Sequence, residues 1–235
     1  MFTKEDFFMN NFFVTTEGAW DDGSVRLKLV GIVIVIAIIA VLLIVAAIMR
    51  HKNESKKAAL TTKQLVYSAV AIALAVVCSM IKLFEMPMGG SITLLSMLFI
   101  VLIAYWYGPY VGIMTAVAYG LVQFVMEPIF YTIPQMLFDY PLAFGALGLA
   151  GFFYNKKWGL QIGYVVGVLG RWLFSTISGV IFFASYAPEG MHPLVYSLTY
   201  NGSYLLPEAI VTLIIISIPP VAKALAHVKT QAVEA

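Results

Sequence analysis

The run LVGIVIVIAIIAVLLIVAAIM, residues 29–49, carries no charged residue and no proline and is apolar on every side. At 1.5 Å rise per residue, a helix of about 20 such residues crosses the hydrocarbon core of a bilayer. A strand of an outer-membrane barrel would alternate apolar and polar residues instead. Backbone groups in lipid must bond within their own segment or within a closed barrel, so this run reads as a membrane-spanning helix. Working outward from it, six further apolar stretches at 65–84, 92–107, 110–126, 135–153, 160–183 and 193–218 read the same way. The composition agrees: 61% of the 235 residues are hydrophobic and 11% are charged, with a mean hydropathy of +0.92. The expected fold class is all-α, a polytopic membrane helical bundle of six core helices plus one extra N-terminal transmembrane helix.

The basic loops set the expected orientation. RHKNESKK at 50–57 with Lys63, then Lys156 and Lys157, then Lys223 and Lys229 all fall on one side of a seven-span chain. Lysine and arginine are retained on the cytoplasmic face, so the N-terminus is expected outside and the C-terminus inside. Two parts are expected: 1–60, an anchor helix with a basic cytoplasmic linker, and 61–235, a six-helix substrate-binding core with a short cytoplasmic tail. The first residues lack the pattern of a cleaved signal peptide, so the helix at 29–49 reads as retained. A net charge of +2 suggests no nucleic-acid partner, and the single cysteine, Cys78, excludes a disulfide framework or thiol metal cluster.

There is no GxxxxGK[ST] phosphate loop, no HExxH and no Cys/His cluster. No catalytic function and no resident cofactor or metal are expected. Glycines at four-residue spacing, Gly108 with Gly112 and Gly159 with Gly163 and Gly167, read as close helix packing within the bundle. Two ionisable residues lie deep in apolar spans, Arg171 and Glu208, about 16 Å and about 15 Å from the same end. Equal depth on adjacent helices suggests a structural ion pair in preference to a proton relay. Lys82, near a span end, can snorkel.

Near the opposite ends of the spans lie Tyr131, Asp139, Tyr140, Phe183, Tyr196 and Asn201. Tyr131 alone would be an interfacial belt residue, but a belt requires neither an acid nor an amide below the surface. A carboxylate among aromatic rings suits a flat organic cation, through charge pairing, cation–π contact and stacking. The residues themselves indicate a cationic or aromatic small ligand arriving from outside, and no more.

The stretches MPMGGSITLLSMLF (86–99), LFDYPLAFGALGLAGF (137–152) and SGVIFFASYAPEGMHPLVYSLTYNGSYLLPE (178–208) resemble thiamine-specific S-components of energy-coupling-factor (ECF) vitamin transporters, and the resemblance runs from 61 to 226. It implies a membrane subunit that binds thiamine from outside and works with a transmembrane coupling subunit and two cytoplasmic ATPases in a bacterial plasma membrane. By the same resemblance Asp139 and Tyr140 face the thiazolium charge. Tyr196 and Asn201 match the tyrosine and asparagine of the family's LYSLxxNG motif. Ser175 stands where the family commonly has histidine, and Phe183 where some members have a stacking tryptophan; the serine has a shorter polar reach. Tyr131 completes the expected thiamine site. The resemblance makes the loop with Glu85, Met86, Pro87, Gly89 and Gly90 a lid. It places Ala69, Ala71, Ala73 and Ala75 against the coupling subunit. Two other readings stay open: an ion-coupled secondary transporter using Arg171 and Glu208, or an S-component for another aromatic or cationic vitamin.

Overall fold

The computed structural model of the chain describes residues 60–233 except 88 and 155, together with a two-residue ladder pairing Val14–Thr15 (β1) with Arg26–Leu27 (β2). The expected first span at 29–49 and its linker lie outside the described residues. The rest is a helical bundle. Its elements are α1 (Thr62–Met80), β3 (Lys82–Glu85), β4 (Ser91–Thr93), α2 (Ser96–Tyr107), α3 (Pro109–Met126), α4 (Ile133–Phe153), α5 (Gly159–Phe182), α6 (Pro193–Ser217) and α7 (Pro219–Val233). Five of these helices, α1, α3, α4, α5 and α6, are long and apolar enough to cross a membrane. Six helices, α1 to α6, stand in order where six core spans were expected; five have the length of a span and α2 is shorter.

The span expected at 65–84 ends at Met80, and 82–85 forms an antiparallel hairpin with β4. The span expected at 92–107 is a helix only from Ser96, twelve residues long, or about 18 Å. The reason lies on α6. Leu95 takes a left-handed conformation (φ 60°) and gives α2 no side-chain cap of its own. Glu208, 4% exposed, caps it instead. Its carboxylate accepts from Thr93 Oγ1 (2.7 Å), Thr93 N (3.2 Å), Ser96 Oγ (3.2 Å) and Met97 N (3.3 Å). An anion is favourable at a helix N-terminus, where four N–H groups lack intrahelical partners. Non-helical backbone at membrane depth is tolerated where protein satisfies its polar groups, and Glu208 does so for β4.

The expected Arg171–Glu208 ion pair is therefore corrected. Glu208 faces α2, while the Arg171 guanidinium lies 4.0 Å over the Phe144 ring, and no ion pair joins the two among the described residues. Equal depth on neighbouring helices leaves the rotation about each helix axis unspecified, and rotation decides which side chains meet.

Helix α4 is irregular for local reasons. Pro141 has no N–H to donate. The chain widens to a π-turn over Phe138–Leu142, closed by Ala143 N–H donating to Phe138 O, and narrows to a 3₁₀ helix over Ala146–Phe153. With three residues per turn, Gly145, Gly148 and Gly151 fall on one edge. A Cβ built on Gly148 would sit 2.5 Å from Ile113 Cα, backbone against backbone. On the α5 side a Cβ on Gly163 would lie 3.1 Å from Ala150 Cα, and one on Gly167 3.1 Å from Leu147 Cα. Gly163 and Gly167 thus pack the bundle, as their four-residue spacing suggested, against the α4 segment that holds Gly145, Gly148 and Gly151. Gly148→Val is expected to cost about 3 kcal/mol by overpacking, measurable as a lowered melting temperature in detergent; an unchanged melting temperature would contradict this packing.

Two further expectations change. The expected C-terminal tail is the fifteen-residue helix α7, seated by Ala232 (1% exposed) and by Tyr107 Oη donating to Ala232 O (3.0 Å). Lys229 Nζ donates to Tyr154 O (3.0 Å) and lies over the Tyr105 ring. The four alanines of α1 do not share one face. Ala71 (7% exposed) and Ala75 (0%) point into the bundle, whereas Ala69 and Ala73 are exposed. Positions two apart on an α-helix differ by about 200°, so the pairs 69/73 and 71/75 look in nearly opposite directions.

Candidate functional site

The π-turn of α4 carries Asp139 and Tyr140, and such single-turn bulges commonly occur at functional sites. Asp139 is half-buried. Its Oδ2 accepts a 2.5 Å hydrogen bond from Gln135 Nε2, one α-turn earlier. Ser178 of α5 lies beside it. Tyr140 has a different task from Asp139. Its hydroxyl donates to Glu127 O (2.7 Å) and accepts from Ile129 N (2.8 Å), which ties down the loop between α3 and α4. Its ring packs 4.9 Å from Phe124. Tyr140 thus has no hydroxyl proton left for a ligand.

Helix α6 presents Tyr196, Tyr200, Tyr204 and Glu208 at four-residue intervals, one stripe along one face. Asn201 sits beside this stripe. Its Nδ2 donates to Ser197 O (2.9 Å) and to Ser175 O (3.3 Å), and its Oδ1 accepts from Tyr204 Oη (2.6 Å). The fold thereby brings Asn201 and Ser175 together across α5 and α6, with the Tyr204 hydroxyl bonded to the same amide. Tyr196 joins this group through Tyr200, at a ring separation of 5.6 Å.

The hairpin loop lies along the same stripe. Met86 N donates to Gly90 O and Gly89 N to Met86 O, closing a turn in which Gly89 and Gly90 have φ of +87° and +84°, open to glycine at no steric cost. Tyr200 Oη donates to Gly89 O (2.9 Å), and Ser203 Oγ reaches Met86 Sδ (3.8 Å). A Cβ on Gly90 would meet the Tyr204 ring at 2.7 Å, and one on Gly89 the Ile129 side chain at 2.6 Å. The loop is seated on α6 and on the α3–α4 loop at once.

Lys82 strengthens that seat, and it is not the free snorkelling lysine its position suggested. Its Nζ lies 2.6 Å from both Glu85 and Glu127. Partial burial lowers the ammonium pKa, but hydrogen bonds and charge from Glu127 and Glu85 outweigh it, and the net shift is upward.

Tyr131 and Phe183 meet edge to face at 5.3 Å, and the Tyr131 hydroxyl lies 3.1 Å from that of Tyr186. Burial, then the bond to Tyr186, pushes the Tyr131 phenol up to about 12, so this wall stays neutral. Gln135, Ser178, Tyr186, Tyr200 and Tyr204 belong to the cluster and were not expected from the sequence. The four-residue tyrosine stripe was the available signal for two of them. Among the described residues no group of His, Cys, Asp and Glu could hold a metal ion. An apolar groove of about 560 Å³ lined by Trp172, Leu198, Gly202, Leu206 and Ile210 lies between α5 and α6 and contains none of the expected site residues.

The half-buried Asp139 carboxylate, its Gln135 partner and the Tyr131–Phe183 pair stand in a bundle whose apolar helices make it a multi-pass membrane protein. Comparison with known proteins narrows this class. The chain belongs to the thiamine transporter protein family, whose model matches residues 65–227, a family of transport proteins and not of enzymes. It is 35% identical over 178 residues to thiamine transporter ThiT of Bacillus subtilis, covering 70% of this chain and 91% of that one. It is 29% identical over 97 residues to thiamine transporter ThiT of Lacticaseibacillus paracasei, covering 36% and 48%. A solved structure of ThiT from Listeria monocytogenes superposes with a TM-score of 0.57 at 23% identity, over 67% of this chain and 94% of that one. At that identity it supports the fold alone. The family resemblance read from the sequence is borne out.

Proposed function

We propose that this chain is the thiamine-binding subunit of an ECF-type importer. It captures thiamine at the lid end of the bundle, which faces outside with the N-terminus, and delivers it inward with energy from a coupling subunit and two cytoplasmic ATPases. The observation that supports the reading is the half-buried carboxylate of Asp139 in the π-turn, joined through Gln135 to Ile129, against which Gly89 of the hairpin loop packs. In this reading the Asp139 carboxylate receives the thiazolium charge, the Tyr131–Phe183 wall and Tyr196 offer ring faces, and Asn201 with Ser175 shapes the polar floor. Tyr140 contributes by holding the α3–α4 loop. The loop over Glu85, Met86, Pro87, Gly89 and Gly90 opens to admit the vitamin.

The ion-coupled alternative loses its motive with the Arg171–Glu208 pair, because Glu208 is engaged in capping α2. Uptake is expected to stop when the ATPase subunits are deleted; uptake that survives the deletion and falls when the ion gradient collapses would favour the alternative.

The docking face in this reading keeps two of the four alanines that the sequence suggested. It comprises Ala69 and Ala73 with the exposed Leu65, Val66, Val70 and Val77 of α1. Small residues allow close helix approach. Ala73→Trp is expected to leave thiamine affinity within about twofold and to abolish uptake in cells. Normal uptake by that variant would move the docking face elsewhere.

A further inference from the structure

Gln135 is wholly buried, and every hydrogen-bonding group of its side chain is used. Nε2 donates to Asp139 Oδ2 (2.5 Å) and to Ile129 O (3.1 Å), and Oε1 accepts from Tyr131 N (2.9 Å). Exchanging the amide's nitrogen and oxygen would set donor against donor and acceptor against acceptor at all three contacts, so the network itself assigns the orientation. The three partners are distinct parts of the site. Asp139 is the acid, Tyr131 is in the aromatic wall against Phe183, and Ile129 is the ledge on which Gly89 of the hairpin loop rests. Hydrogen bonds to a carboxylate are strong and directional, and a buried amide leaving one unmade is costly.

We infer that Gln135 is a positioning residue of the ligand site: its amide aims the Asp139 carboxylate while pinning the Ile129 and Tyr131 backbone, so that acid, wall and ledge keep one register. The inference rests on the reading of Asp139 as the group that receives the ligand's positive charge. Gln135 itself does not touch the ligand; it acts through Asp139 and the loop. An apolar residue of the same length removes all three bonds but not the charge; the loosened wall and ledge cost both ligands alike, and the lost aim adds a larger cost only for the ligand that carries the cation.

The test compares thiamine with a neutral isostere in which an uncharged ring replaces the thiazolium, both titrated calorimetrically into the purified full chain in detergent. Gln135→Met, unbranched and of similar length, is expected to weaken thiamine at least about tenfold and the isostere less than about threefold. Equal losses for the two ligands, or no loss for either, would overturn the positioning role. Should that variant fail to fold, Gln135→Asn draws the amide back by one methylene, and the same ratio of losses decides. Failure of the underlying reading looks different. The unsubstituted chain would then fail to bind thiamine or would bind both ligands equally, and the inference would fall with it.

Discussion

Asp139→Asn is expected to weaken thiamine binding by about 30-fold to 4,000-fold while leaving the ligand-free protein folded. The substitution is isosteric, and the new amide can still offer its oxygen to Gln135 Nε2, the donor that now bonds Asp139 at 2.5 Å. What disappears is the charge. Removing one partner of a desolvated charge pair typically costs about 2–5 kcal/mol, and each 1.4 kcal/mol is about tenfold in affinity. The loss should spare the melting temperature of the free protein, since Asp139 makes no ion pair within the chain among the described residues. Affinity within about threefold of the unsubstituted protein would remove Asp139 from the ligand's charge.

Glu208→Ala is expected to act on stability. Its carboxylate takes four hydrogen bonds from Thr93, Ser96 and Met97, all in a part of the bundle where Glu208 is 4% exposed. Truncation strands two backbone N–H groups and two hydroxyls and removes the anion at the start of α2. Unsatisfied buried donors cost about 1–3 kcal/mol each, with partial relief as the hydroxyls turn to other acceptors. A total of about 3–5 kcal/mol follows. Glu208→Gln keeps the shape but turns one amide N–H₂ toward a donor, so about half that loss is expected. Thermal unfolding in detergent distinguishes these values. If Glu208→Ala unfolded with the unsubstituted protein, the cap would not be what holds α2 and β4 at membrane depth.

The helical bundle was legible because lipid imposes a simple rule, and runs such as those at 110–126 and 193–218 obey it without local conflict. The rule says nothing about satisfied exceptions. Residues 92–95 are apolar enough to extend α2, yet they form strand and turn because a carboxylate 115 residues from Thr93 supplies their polar partners. Likewise 135–153 reads as one span, and hydropathy does not distinguish α from π or 3₁₀ winding. Pro141 and the three-residue spacing of Gly145, Gly148 and Gly151 carried that information.

Site residues divide along the same line. Asp139, Tyr131, Phe183 and Asn201 stood out by chemical type at the expected depth. Gln135 did not, since a glutamine at the start of an apolar run reads as a boundary until its partners are seen. Arg171 and Glu208 matched in depth and differed in azimuth. Ala71 and Ala75 failed as docking residues for the same reason, because spacing along a helix was read without the rotation that accompanies it.

Isothermal titration of the purified chain with thiamine is the most direct measurement of the central claim, that a flat cation is held by the carboxylate on the α4 bulge. Saturable binding of one thiamine per chain, at least about 30-fold weaker in Asp139→Asn, is the expected result. A titration without saturable heat, confirmed by equilibrium dialysis with labelled thiamine, would contradict it.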